Sequence, residues 1–359
     1  MTINDLIHNF AGWLDISGEF SGIVISSRAR LARNLQSLPF VHRATDEQLS
    51  TLVDTVLTAK SQSPHLERTT FFNLDELSKA DRQILVERHL ISPELAKKKG
   101  QRGILVDNKE IVSVMINEED HLRLQAIQPG FQPRNVWSLV DKIDDELSGV
   151  LDFSFSPKYG YLTACPTNVG TGLRVSVLIH LPALVLTQEI DKVLRAVAQV
   201  GLAVRGFYGE GTDVVGNLFQ ISNQTTLGKA EHEIIEGLER IIREVVDQEL
   251  KARGTLLKDA KLEIEDKVWR ALGILENARL LTSQEFMNLS SATRLGYAMD
   301  LIAFPEIKVL NELMVLTQPY HLQRLVGRSL RPSERDKIRA NLVRERLRDD
   351  KPEGGVKDE

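Results

Sequence analysis

Residues 165–174 read Cys165-Pro166-Thr167-Asn168-Val169-Gly170-Thr171-Gly172-Leu173-Arg174, and the chain continues Val175-Ser176-Val177-Leu178-Ile179-His180. A loop with two glycines and a proline runs into a segment of period two. Leu173, Val175, Val177 and Ile179 share one face of the strand this predicts, and Arg174 and Ser176 share the other. Gly170-Thr171-Gly172 opens a dinucleotide-binding fingerprint without completing it, and so does Gly209-Glu210-Gly211. Gly228-Lys229 is followed by Ala230, not by Ser or Thr, so the P-loop pattern also fails. A phosphate, if bound, is held by some other device.

Outward from this stretch, the sequence predicts further strands at Tyr161–Ala164 and Leu202–Tyr208, a short strand at Ile23–Ile25, and a hairpin of Ile104–Val106 with Ile111–Ile116. Helical periodicity marks 46–60, 75–90 and 187–200, the last stopped by Gly201. The clearest helix covers 229–253, with Gly254 as its stop. Beyond Leu256 nearly every apolar pattern is helical, interrupted at Pro305, Pro319 and Pro332. These shifts divide the chain into 1–254, a helical 255–348, and a charged tail 349–359 expected to be disordered.

Composition bounds the function. A chain of 359 residues suggests two domains at about 150 residues each. The 45 basic and 50 acidic residues give a net charge of -5, which argues against a general polyanion coat; no direct nucleic-acid partner is expected. The single cysteine, Cys165, excludes an internal disulfide and a cysteine zinc cage. No Lys or Arg precedes Arg28 and the apolar runs are short, so neither a secretory leader nor a membrane span is expected. A cytoplasmic location, where a lone thiol stays reduced, follows as the expectation.

Five arginines stand at strand ends and turns: Arg28, Arg30, Arg123, Arg174 and Arg205. Arg28 and Arg30 point to one side of an extended segment. Guanidinium groups bind phosphate oxygens in pairs and keep their charge, so five of them can clamp a triphosphate. Read alone, they equally describe five separate surface arginines, the commoner case. Glu118-Glu119-Asp120 is either a solvated acidic turn or a source of a carboxylate that aligns a basic nucleophile and takes its proton. Trp13, Trp137 and Trp269 read as packing residues and receive no role.

At this point four segments resemble one family, the phosphagen (guanidino) kinases. They are Ser26-Ser27-Arg28-Ala29-Arg30, Asn117 to Arg123, Cys165 to Arg174, and Arg205-Gly206-Phe207-Tyr208-Gly209-Glu210. The resemblance implies an α+β catalytic domain with a mainly antiparallel sheet flanked by helices, acting on ATP with Mg²⁺. It implies that the five arginines hold ATP phosphates, together with Ser26, Ser27, Ala29, His89, the Val175-Ser176-Val177-Leu178 stretch and the Gly206–Glu210 loop. It makes Glu119 and Glu210 the carboxylates that hold the guanidinium, with Glu119 as candidate base; the proton acceptor among Glu118, Glu119 and Glu210 stays open. Cys165 takes the place of the family's active-site cysteine. No metal ligand from the protein is expected.

The family's long helical domain before the Ser-Ser-Arg motif is expected to be lacking, since only 25 residues precede Ser26. An all-helical C-terminal domain follows instead, similar to the bacterial protein-arginine kinases of the McsB type. Arg335-Asp336-Lys337-Ile338-Arg339-Ala340 matches their phosphoarginine-binding, allosteric motif at Arg335, Asp336, Arg339 and Ala340. Read alone, the same residues are a basic solvated helix. The resemblance implies phosphorylation of protein arginines, marking of substrates for a Clp-type protease, action on a stress-response repressor, a small activator protein and a homodimer. The alternatives are a kinase of small guanidino compounds and a catalytically dead phosphoarginine adaptor.

Overall fold

The structure is a computed structural model, and it describes residues 1–206 and 215–351. In chain order its strands are β1 (Val24–Arg33), β2 (Thr70–Asn73), β3 (Gly103–Val106), β4 (Val112–Ile116), β5 (Leu122–Pro129), β6 (Phe155–Ser156), β7 (Gly160–Tyr161), β8 (Leu173–His180), β9 (Leu202–Gly206) and β10 (Leu218–Asn223). The helices before the last strand are α1 (Ile3–His8), α2 (Asp46–Lys60), α3 (Lys79–Glu87), α4 (Pro93–Lys97), α5 (Pro133–Ser148), α6 (Pro182–Leu186) and α7 (Ile190–Gln199). After it come α8 (Glu231–Asp259), α9 (Lys261–Asn277), α10 (Ser283–Ala298), α11 (Ile307–Leu316), α12 (Pro319–Val326) and α13 (Pro332–Asp349).

Eight strands form one sheet in the order β2-β3-β4-β5-β1-β8-β10-β9, and every pairing among the described residues is antiparallel. This is the α+β arrangement the motifs implied. The ten-residue β1 is central because it pairs β5 on one side and β8 on the other. Its sequence alternates as β8 does: Ala29 and Leu31 are buried in the core with Val175, Val177 and Ile179. Against that face lies α5, whose Val136, Val140, Ile143 and Leu147 make an apolar stripe, and the first half of α8.

The C-terminal helices join this body through shared cores. Ile264, Val268, Leu272, Leu295 and Met299 belong to the same buried cluster as the sheet's aliphatics. A second cluster packs Phe286, Leu313, Ala340, Val343 and Leu347 against Trp13, Ile25, Ile127 and Leu178. Among the described residues no helix is long and apolar enough to cross a membrane.

Several elements differ from the sequence reading. The helix at 75–90 shortens to α3, because Ser78 caps it by accepting from the Asp81 amide. The strand at Tyr161–Ala164 shrinks to two residues, since Ala164 turns to donate to Asp120. Only Leu202–Gly206 of the predicted 202–208 strand lies within the described residues. Gly254 does not stop α8, which continues to Asp259; a Cβ there would meet nothing within 4 Å, so no left-handed turn or close approach calls for glycine. The first strand extends through Ser26–Arg33, because its arginines line a cleft while its partners' aliphatics cover the core. Asp349 ends α13, and residues 352–359 lie outside the described residues.

Candidate functional site

Strand register places all five arginines on one face of the sheet. Arg30 lies opposite Arg174 across the β1–β8 ladder, and Arg28 opposite Ser176. Arg123 of β5 lies opposite Ala32, two residues along from Arg30. Arg205 of β9 faces Gln220 of β10, which faces Leu178. Directly paired residues share a face, so side chains far apart in sequence meet on one surface. Arg28, Arg30, Arg123 and Arg205 line an open cleft of about 1100 Å³, with Gln125, Gln220 and, from the α3–α4 side, His89, Ser92 and Pro93. Arg174 borders it, its Nη2 3.3 Å from the Ser222 hydroxyl.

The same register sorts the residues of the expected nucleotide site by the face their side chains take. Val175 and Val177 are fully buried in the core on the opposite face, as is Ala29, and Ser27 donates to the Gly130 carbonyl at 2.9 Å. Only the alternate residues, Ser26, Arg28 and Arg30 on β1 and Arg174, Ser176 and Leu178 on β8, present side chains to the cleft side. Gly206 is buried at the end of β9. Phe207, Tyr208, Gly209 and Glu210 lie outside the described residues.

Among the described residues the cleft gathers more cations than anions. Burial, then the nearby Arg174 and Arg123, lowers the Arg28 guanidinium to about 10. Burial and three neighbouring arginines push Arg30 well down, and Glu118 pulls the other way. The buried Nε of Arg30 makes no hydrogen bond among the described residues. Such a cluster favours an anion with several oxygens, since each buried guanidinium lacks the hydration it had in water. Burial, and then Arg28, lowers His89 to about 3, so its ring is neutral at ordinary pH. A second, smaller cavity adjoins the cleft and shares Arg28, His89 and Gln220 with it.

The acidic turn closes one end. Glu118 is buried, 2.6 Å from Arg123 and accepting from the Ser92 hydroxyl at 2.5 Å. Glu119 sits at the tip with its side chain 45% exposed and 3.8 Å from Arg123. Asp120 points inward, accepting from Asn34 and from the Ala164 amide, both at 2.7 Å. That last bond ties the acidic turn to the loop that carries Cys165, so Glu119 and Cys165 come from two joined loops. The part-exposed Cys165 thiol lies 3.1 Å from the Thr167 hydroxyl.

The glycines of the opening stretch serve this loop. Gly170 (φ 111°) and Gly172 (φ 67°) take backbone conformations that side chains disfavour, and a Cβ at either would strike the carbonyl of Thr226 or Ala32. Arg33 locks the loop from below, pairing with Asp144 at 2.7 Å and donating to the Thr171 carbonyl at 2.9 Å. Neither Arg33, which is alternate to the cleft arginines, nor the inward Asp120 is distinguishable from its neighbours by residue type alone. Glu118 stood out only as one of three adjacent acids.

Arg335 and Arg339 share a face of α13, but their environments differ. Arg339 is 1% exposed and donates to the carbonyls of Thr317 and Leu281 and to Asp336 at 2.7 Å. Arg335 is part-exposed, and Ala340 is buried in the second core. Among the tryptophans, Trp13 is buried and Trp137 donates to Glu231 at 2.8 Å. Trp269 is 55% exposed, which corrects its reading as a packing residue. Among the described residues no group of three or more His, Cys, Asp or Glu side chains is placed to hold a metal ion.

Comparison with known proteins places this geometry. Residues 49–252 match the family model described as ATP:guanido phosphotransferase, C-terminal catalytic domain, and 261–356 match the protein-arginine kinase McsB C-terminal domain. A protein-arginine kinase from Halothermothrix orenii is 47% identical over 97% of this chain and 99% of its own length. Among solved structures, a lombricine kinase is 25% identical with a TM-score of 0.57, covering 69% of this chain and 70% of that one. A duplicated taurocyamine kinase from Schistosoma mansoni, with bound components of a transition-state analogue, is 28% identical with a TM-score of 0.56. The match covers 66% of this chain and only 34% of that longer one.

Proposed function

The chain belongs to the ATP:guanido phosphotransferase family, and we infer from that membership and from its site that it transfers the γ-phosphoryl group of ATP to arginine side chains in proteins. The observation that carries the reading is the register that gathers five arginines on one sheet face beside the Glu118–Asp120 turn. The near full-length likeness to protein-arginine kinases, C-terminal helices included, supports a protein acceptor over a small guanidino compound.

In this proposal the arginines hold the triphosphate and offset the charge that spreads over the γ-phosphoryl oxygens during transfer. A guanidinium is a cation and a poor nucleophile. One of its nitrogens must lose a proton as its bond to phosphorus forms and the bond to the ADP oxygen breaks. Glu119, exposed at the end of the cleft, orients the substrate guanidinium by paired hydrogen bonds and accepts that proton. Glu118 is committed to Arg123 and Ser92, so it positions the clamp. Cys165 lies where a thiolate would favour a cation. Glu210 is proposed as the second guanidinium carboxylate on the resemblance of its motif. Mg²⁺, if used, would be carried chiefly by the nucleotide phosphates and water, as that ion commonly is.

The wider setting is proposed from the motif resemblance: a cytoplasmic enzyme that marks proteins for a Clp-type protease and acts on a stress-response repressor. It would respond to a small activator, bind phosphoarginine at the Arg335–Ala340 motif, and act as a homodimer.

The test is incubation with labelled ATP and either an arginine-rich protein or free arginine, read by mass spectrometry under non-acidic conditions that keep the P–N bond. Label on protein arginine is expected, and its loss with Glu119→Ala. Transfer to free arginine alone would overturn the protein-kinase reading, and no transfer at all would favour the adaptor.

A further inference from the structure

We infer that Trp13 recognises the nucleotide base: its indole N–H donates to an acceptor on the purine ring of ATP. Trp13 lies in a 3-10 turn, Gly12–Leu14, outside the segments matched by either family model. Its ring lines a small cavity together with Ser26, Arg28, His89, Ile127 and Leu178. That cavity adjoins the arginine cleft through Arg28, His89 and Gln220, so a triphosphate held by the arginines leaves its base within reach of it. Ile127, Leu178 and the indole supply apolar walls. A few polar groups supply direction, the usual make-up of a small-molecule pocket.

The indole nitrogen is the second observation. Trp13 is 1% exposed, and its Nε1 has no hydrogen-bond partner among the described residues. Leaving a buried donor without a partner is unfavourable, and packing alone would be served by phenylalanine. The ring has no freedom to turn toward water. It stands edge-on to His89, centroids 5.5 Å apart, and belongs to the same buried cluster as Phe286, Leu313, Ala340 and Val343. A fixed, unsatisfied donor beside a site for a purine nucleotide is suited to a ring nitrogen of the base.

The inference rests on the reading that this site binds ATP, and the test separates the two. In a Trp137→Phe/Trp269→Phe background, Trp13 is the sole fluorescent indole. ATP and adenosine are expected to change its emission saturably, whereas tripolyphosphate displaces ATP without doing so. Trp13→Phe, which keeps a ring and removes the donor, is expected to raise KM for ATP by roughly tenfold with kcat little changed. Its inhibition by tripolyphosphate should stay as in the parent. ATP binding, measured by equilibrium dialysis, that leaves Trp13 emission unchanged would overturn the role of Trp13 alone. So would an unchanged KM in Trp13→Phe, or a parallel loss of tripolyphosphate inhibition, which would mark a structural defect. No ATP binding to the parent protein would overturn both readings.

Discussion

Arg30 shows how much a single residue here depends on its surroundings. It is desolvated, crowded by Arg28, Arg123 and Arg174, and its Nε has no partner among the described residues. In a structural role this would be an unfavourable placement, because each neighbouring cation adds repulsion that, among the described residues, Glu118 alone offsets. A bound polyanion offsets these costs, because it attracts all of these guanidinium groups at once. Arg30→Ala is therefore expected to raise KM for ATP by roughly ten- to a hundredfold, from losing one charge-assisted contact of about 1.5–3 kcal/mol. It should leave the fold intact, and thermal stability should hold or rise as repulsion falls. Initial rates against ATP concentration, with a melting curve beside them, check both parts. A lower melting temperature with unchanged KM would show Arg30 to be structural.

At the scale of elements, what was legible in the sequence is what period and spacing can carry. The alternation in 173–180 gave both faces of β8 correctly: Leu173, Val175, Val177 and Ile179 enter the core, and Arg174 and Ser176 pair with Arg30 and Arg28 on the cleft side. The three motifs around Arg28, Arg123 and Arg174 were readable as segments. Their convergence was expected only through the family resemblance, since it arises from pairings such as Ala32 with Arg123, which join residues 91 apart. Glycine read as punctuation held at Gly201 (φ 82°), just past the end of α7, and failed at Gly254. Gly254 sits within α8, exposed and with open space around its Cβ position. It keeps the backbone entropy cost of glycine and gains nothing from it. Gly254→Ala is expected to stabilise the protein by about 0.5–1 kcal/mol, seen as a higher urea midpoint at an unchanged slope. A loss of stability would mean that this turn of α8 needs glycine for a reason its surroundings do not show.

At the scale of the whole molecule, the catalytic sheet and the C-terminal helices meet through buried histidines. His180 of β8 is 2.8 Å from Ser291 of α10, with Arg294 and Arg253 nearby. His321 of α12 lies 2.8 Å from Glu87 and faces Arg88, while the Glu87 carboxylate also accepts the Tyr320 and His321 amides at the start of α12. Burial is the first cause lowering both histidines; Arg294 and Arg253 add to it at His180, whereas Glu87 opposes it at His321. A folded-state pKa below the ordinary 6.5 means that the unfolded chain binds more protons once the pH drops toward that value. Their contribution to stability is thus complete above about pH 6.5 and is lost as pH falls below it. Because one buried cluster runs from β1 to Met299, the junction should not open as a separate step. The urea midpoint is expected to fall from pH 7.5 to 5.5 in a single transition, read alike by Trp fluorescence and far-ultraviolet circular dichroism. His180→Gln, which keeps an amide to meet Ser291 and cannot charge, should lower stability at pH 7.5 and flatten that fall. Two separated transitions, or a pH slope untouched by His180→Gln, would show that these histidines do not join the two halves.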